Sequence, residues 1–571
     1  MQYSAEHLKR VPTLLAQANA QSNQLQTKRA ELCAQMSWQK LKGQLSVYDA
    51  ILCAIQTAYA IADAAVSVEQ TNEERTQLLQ KVQEEATRIY QELLYFSQIK
   101  KTWKKQTLIE YEKKIPEYAA YFRGIRNNSR YQLPEKIERI ISTKDKYAST
   151  ALTNIYALLT SAHTFTFTHE GKKISVNRAE LQQYLRHPQR EVRKKASNSF
   201  YKTFSADVHV LHEIYTALVG DYAEEARMRG YKKPIDIRHK ANEISIRAYE
   251  SLKKATQKQN LFRRYVRMKQ QIFGYKQLHA YDLYATIPGL PKGYTYEEAK
   301  KHLLRVCKEY ACWLEQAVQE VHESNTIDVY PREHKRPGAC CYNTAPGEKP
   351  ILILNHQTDY ESYKTLAHET GHAVHDILAG ENTGIQTQPQ LIIAETASTI
   401  LEYMVFLDTM KRANKKEKIA LLCDYIDDAL ASTVQQLAIV EFEEWAYEDA
   451  FATRTQRDIR WQSIQEKLFP EITPSSQQRG FGWMGISHLF EQPFYCYAYS
   501  FGLLAALSIY KQTTPEQLKE LLRAGGSKEP RELLLSYGLD IEKEEFYVQG
   551  YKEIELLIDT LETLITETKL Q

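Results

Sequence analysis

Cysteine is scarce in this chain and net charge is nearly absent. The eight cysteines (Cys33, Cys53, Cys307, Cys312, Cys340, Cys341, Cys423 and Cys496) follow no framework spacing, and Cys340 and Cys341 adjoin, a poor arrangement for an ordinary disulfide. A reduced chain in the cytoplasm is expected. A formal net charge of +3 over 571 residues provides no concentrated basic surface. Neither nucleic acid nor an anionic membrane is therefore an expected partner. The opening residues, Met1 to Arg10, lack an apolar run of signal-peptide length. The most apolar long stretch, Ala50 to Val68, contains Gln56, Thr57 and Asp63 and reads as a buried helix rather than a membrane span. There is no repeat of fixed period and no low-complexity tail.

Present instead is an ordinary globular balance, 43% hydrophobic and 25% charged, with 38 tyrosines able to pack and to line a polar cleft. The first ~120 residues carry helical periodicity. Val82, Ala86, Ile89, Leu93 and Phe96 form one apolar stripe on a solvated helix that packs within the chain. Thr164 to Val176 switches to period two and predicts a hairpin. A long helix is expected from Pro188 to near Gly230, with Pro234 beyond its end. Pro331 to Pro350 reads as loop, Ile351–Asn355 as a short strand, and helical patterns run from Tyr360 to the end. The expected class is mainly α with a small β element near the centre.

Within that last region lies His368-Glu369-Thr370-Gly371-His372, an H-E-x-x-H. On a helix, positions i and i+4 share a face, so both imidazoles can converge on one zinc ion and leave room for a third protein group and a water. Glu369 sits beside the first ligand and is placed to take a proton from that water and pass it to a leaving amine. Glu395, in the apolar run Leu391 to Ile400, is the expected third ligand, because a lone carboxylate there is costly to bury unless paired or metal-bound. His375 shares a face with His372 and is expected behind the ligands rather than among them. A tetrahedral oxyanion also needs a hydrogen-bond donor beyond the metal, and a tyrosine hydroxyl or imidazole N–H suits that task.

These residues resemble the thimet-oligopeptidase class of zinc metallopeptidases, and most closely its oligoendopeptidase F branch. The likeness is carried by H-E-x-G-H-x-x-H at His368, Glu369, Gly371, His372 and His375, and by A-E-x-A-S-T from Ala394 to Thr399. It extends over Gly338 to Tyr342, Ile351–Asn355 and the His488 to Gly502 segment with its tyrosines, and weakly back to Thr164. The resemblance implies a two-lobed, gluzincin-like helical fold with a deep central channel and one zinc per chain. It further implies oxyanion donors at His488 and Tyr497, with Tyr495 as the fallback. Which of Tyr495, Tyr497 and Tyr499 faces the metal stays open, since a strand groups them and a helix separates them. Substrate contacts are expected from Gly338, Ala339, Ile353 and Leu354, and support of the ligands from His375 and Ser398. An N-terminal helical region, 1–185, with its hairpin at about 164–176, would then precede a catalytic region, 186–571. The implied activity is cleavage of internal bonds in short unstructured peptides. A carboxypeptidase or dipeptidyl carboxypeptidase on the same scaffold is the alternative; it needs a cation for the substrate carboxylate, for which Arg336, Lys349 and Arg479 are candidates. An inactive peptide-binding protein is a third reading, and the intact Glu369 argues against it.

Overall fold

The computed structural model describes residues 5–29, 36–98, 103–473 and 477–569; Cys33 and the Arg479 side chain lie outside the described set. Helices dominate, and the described strands are short: β1 (Phe165–His169), β2 (Lys172–Val176), β3 (Leu278–His279), β4 (Ile327–Asp328), β5 (Cys340–Tyr342), β6 (Ile351–Ile353) and β7 (Ile472–Thr473). The mainly α class with a small β element is borne out. The chain forms two compact units, one from residues 1–139, 292–411 and 506–540, the other from 140–291, 412–505 and 541–571. Each unit thus draws on both sides of residue 186.

In the first unit the helices Ala5–Thr27, Trp38–Val68 and Glu73–Glu92 pack together. Val82, Ala86, Ile89, Leu93 and Phe96 are all buried, so the predicted stripe faces the core. Its helix stops at Glu92, and a separate turn, Leu94–Gln98, carries Phe96. Trp38–Val68 is long and apolar enough to cross a membrane by composition, but 67% of its most apolar window is buried inside the protein. Its alanine-rich end packs with Ile351 and Ile353 of β6, with Cys340 and Tyr342 of β5 at the margin. The sheet order is β4-β6-β5, parallel on one side of β6 and antiparallel on the other. The predicted loop from Pro331 to Pro350 therefore contains a strand, β5, whose three-residue length leaves too little periodicity to detect. The sheet's other face meets the helix Tyr360–Ala379, which Asp359 caps by accepting a hydrogen bond from Ser362 N at 2.7 Å.

In the second unit the hairpin appears as predicted, β1 against β2 with Phe165 opposite Val176. Glu170 and Gly171 both have positive φ (49° and 76°), the conformation that a two-residue turn between right-twisted strands requires. Phe165 and Phe167 point inward, and Phe165 lies 6.2 Å from Phe200. The helix expected from Pro188 to Gly230 is two helices, Arg190–Ser205 and Val208–Met228. The break falls at Ser205-Ala206-Asp207, where Ser and Asp side chains compete for backbone and local partners; Asp207 takes a hydrogen bond from His163 Nε2 at 2.8 Å.

Candidate metal centre

His368 and His372 stand one turn apart on Tyr360–Ala379, with their Nε2 atoms 3.2 Å apart. Glu395 Oε2 lies 3.5 Å from His368 Nε2 and 3.3 Å from His372 Nε2. Among the described residues this is the one cluster of metal-ligating side chains with such closely converging donors. A tetrahedral ion with bonds of about 2.0–2.1 Å holds neighbouring ligands about 3.3–3.4 Å apart. The triangle therefore fits zinc in both size and donor type.

The local fold explains how the third corner arrives. Glu395 is not inside one apolar helix as its sequence pattern predicts; it is the joint between a four-residue turn, Leu391–Ala394, and the helix Thr396–Arg412. Ser398 Oγ donates to its Oε2 at 3.0 Å and to its carbonyl oxygen at 2.9 Å. Burial would raise the Glu395 pKa, but the His372 hydrogen bond, both imidazoles and Ser398 outweigh it and hold the carboxyl down at about 2. Gly371 makes the approach possible. A Cβ there would lie 2.5 Å from Ser398 Cα and 2.6 Å from Ser398 N, so the two segments touch backbone to backbone. His375 is buried, and burial draws its pKa down to about 4 while a hydrogen bond with the Ala394 backbone opposes that shift. It thus fastens the residue that precedes Glu395.

A residue that sequence reasoning missed completes the centre. Glu402 Oε2 accepts a hydrogen bond from His368 Nδ1 at 3.1 Å, which fixes the ring with Nε2 toward the other ligands. Its signal was present: Glu402 lies two turns beyond Glu395, as the single charge in the run Ile400 to Leu407. Burial opposes charge on His368, yet Glu402, Glu395 and Glu369 raise its pKa to about 9. Glu369 is buried, and desolvation raises its pKa against the pull of the two histidines.

The sheet beside this helix corrects one expectation. Ile353 and Leu354 are buried in and just after the middle strand, with β4 on one side of β6 and β5 on the other. Leu354 N donates to Asp328 O at 2.8 Å, so β6 has no edge to offer an extended ligand. The outer strands are β4 and β5, and β5 is the one that packs against the helix Tyr360–Ala379. Ile351 and Ile353 face β5 in register while Leu352 N turns to Thr326 O, so by alternation the Cys341 backbone points away from the sheet. Gly338 and Ala339 lead into that outer strand, Gly338 with φ +85°. Asn355 Nδ2 donates to Gly338 O at 2.6 Å and holds this entry in place.

The remaining candidates lie in the second unit. His488 Nε2 is 3.1 Å from the Tyr499 hydroxyl, and the His488 ring stacks on Tyr495 at 5.4 Å. Tyr497, the expected donor, is absent from this cluster. It starts the helix Tyr497–Gln512, is fully buried, and its hydroxyl accepts from Asn242 Nδ2 at 2.8 Å beside His239 Nδ1 at 3.3 Å. The helix thus separates Tyr497 from the other two phenols, and Tyr499 takes the place beside the imidazole.

A helical body with H-E-x-x-H on one helix and a glutamate beyond the next turn defines a metal-dependent peptidase. The model of peptidase family M3 matches residues 183–553, and the chain belongs to that family. It is 25% identical over 494 residues to the oligopeptidase PepF of Bacillus subtilis, covering 82% of this chain and 72% of that protein. It is also 25% identical to the chromosomal oligoendopeptidase F of Lactococcus lactis, over 69% of this chain and 67% of the relative. Among solved structures, one from Chlamydophila abortus assigned as a peptidase aligns with a TM-score of 0.81 at 21% identity, over 92% and 91% of the two chains. Oligoendopeptidase-F from Enterococcus faecium aligns at 0.71 and 18% identity, over 98% of each.

Proposed function

We propose that this M3 peptidase is a zinc oligoendopeptidase that cuts internal bonds of short, unstructured peptides, with residues 186–571 carrying the chemistry. The observation that carries this reading is the donor triangle of His368, His372 and Glu395, with edges of 3.2 to 3.5 Å. One zinc held there supplies Lewis acidity toward the scissile carbonyl. Glu369 takes the proton of the attacking water as the O–C bond forms, and returns it to the amide nitrogen as the C–N bond breaks. His488, with Tyr499 replacing Tyr497 and Tyr495 held in reserve, donates hydrogen bonds to the oxygen that gains charge in the transition state. Substrate lies extended along the free edge at Cys341, entered past Gly338 and Ala339, in the manner of an added strand. An unfolded peptide can present any of its segments to this edge in extended form, and this supports unfolded substrates. The seven described cysteines, all free thiols, agree with a cytoplasmic setting. The test is the product series from one end-labelled peptide of about ten residues. Early products from internal cuts carry the proposal; stepwise loss of one or two residues from the C-terminus would replace it with the exopeptidase reading.

A further inference from the structure

The second unit contains a cavity of ≈ 500 Å³ that none of the residues assigned above lines. That volume is ordinary for a small-molecule site. Much of its wall is apolar and aromatic, including Phe200, Trp461, Phe469, Ile472 and Ile486. Set into this wall is Arg178. Its guanidinium lies over the Phe200 ring at 4.6 Å, and Nη2 donates weakly to Gly485 O at 3.5 Å. No carboxylate pairs with it among the described residues, and Nη1 is buried without a hydrogen-bond acceptor. A half-buried cation with one nitrogen left unpartnered is costly, and desolvation accordingly pulls the Arg178 pKa down.

Two further wall groups are left in the same condition. The Tyr284 hydroxyl is buried and unpartnered, as is Gln465 Nε2, whose own Oε1 already accepts from Gln435 Nε2 at 3.4 Å. Each of the three groups can donate a hydrogen bond, and no lining side chain has a buried unpartnered carboxylate or amide oxygen. Gln435 and Ala431, also in the wall, sit on a π-turn, Ala431–Gln435, a helical irregularity that often marks a ligand site. Of the other wall charges, Arg186 pairs with Asp428 at 3.4 Å, and Glu466 is exposed to solvent, where it accepts from Gln462 at 2.8 Å. One guanidinium without a carboxylate partner and two further unpartnered donors therefore face an apolar chamber.

We propose that this cavity binds a monocarboxylate with an apolar body, its oxygens taken by Arg178 and the neighbouring donors and its body packed on Trp461 and Phe469. A carboxylate presents two oxygens and about four lone-pair sites, which matches the donors. The C-terminus of an apolar peptide and a medium-chain fatty acid share this chemistry.

Isothermal titration of the full-length protein with four probes tests the proposal: N-acetyl-Leu-Phe, its C-terminal amide, decanoate and decanol. At least one carboxylate should bind more tightly than its neutral partner by roughly 10-fold to 100-fold, the value of a charge-assisted hydrogen bond. The peptide pair and the fatty pair tell which source is preferred. Arg178→Met should abolish the difference, Arg178→Lys should retain part of it, and Ser197→Phe, which fills the chamber from its wall, should remove binding altogether. Equal binding of acid and neutral probes, a difference that survives Arg178→Met in folded protein, or no binding at low millimolar concentration would overturn the proposal. If Arg178→Met fails to fold, the Ser197→Phe result decides: carboxylate binding unchanged by filling the chamber overturns the assignment. Because the readout is binding, a failure here leaves the zinc reading untouched, and the converse also holds.

Discussion

Glu402 and Tyr499 are the two residues that most alter the picture of the site: Glu402 belongs to no motif read in the sequence, and Tyr499 is one of three tyrosines in the His488 to Gly502 segment. Glu402 holds His368 through its far nitrogen at 3.1 Å. Removing such a partner typically costs 10-fold to 100-fold in metal affinity, so Glu402→Gln should weaken zinc binding by about that factor in a chelator competition. Unchanged affinity would show that His368 is oriented by other means. On the proposed role of its hydroxyl as a donor to charge that develops only in the transition state, Tyr499→Phe should lower kcat by roughly 10²–10³-fold with little change in KM. Tyr497→Phe should instead lower thermal stability, because the lost hydroxyl strands the Asn242 amide in the core. The opposite pattern would return the donor role to Tyr497. His368, Glu369, His372 and Glu395 were legible because their chemistry fixes residue type and spacing. The tyrosine was not, because Tyr495, Tyr497 and Tyr499 differ only in which face of a helix start each occupies.

At the scale of elements, the site depends on how closely two segments approach. Gly371 and Ser398 meet backbone to backbone, and this contact sets the distance from the two imidazoles to Glu395. Gly371→Ala should push the segments apart. Zinc affinity and activity should then fall together by at least 10-fold, while circular dichroism keeps its helical signal. A variant with full activity would mean that the segments have slack. The β elements show where local pattern runs out. The hairpin was readable from alternation and the Glu170-Gly171 turn, but β5 is three residues inside a Pro- and Gly-rich stretch. Its pairing with β6 is a tertiary fact, and it leaves the free backbone edge at Cys341 rather than at Ile353 and Leu354. Similarly, the helix predicted from Pro188 divides where Asp207 finds His163, a partner more than 40 residues away.

For the whole molecule, stability and activity should respond to pH through different groups. Glu443 is a buried carboxyl whose Oε1 accepts from Phe494 N at 2.7 Å, and burial raises its pKa to about 8. The folded state therefore holds a proton that the unfolded chain releases near pH 4.5. This contribution to stability is complete below that value and is lost as pH rises through about 8. Thermal melts should show Tm falling across that window, and Glu443→Gln should flatten the fall; an unchanged slope would assign it to other groups. The helical class and the catalytic helix were visible in periodicity and motif, whereas the division into two units, each assembled from three separate stretches, left no mark in the sequence. A zinc peptidase with Glu369 as its base is tested most directly by measuring zinc content and peptide turnover side by side in wild-type protein and Glu369→Gln. Both proteins should hold about one zinc per chain, with turnover in the variant reduced by roughly 10²–10⁴-fold. Active wild-type protein without metal, or a Glu369→Gln variant that has lost its zinc, would contradict it.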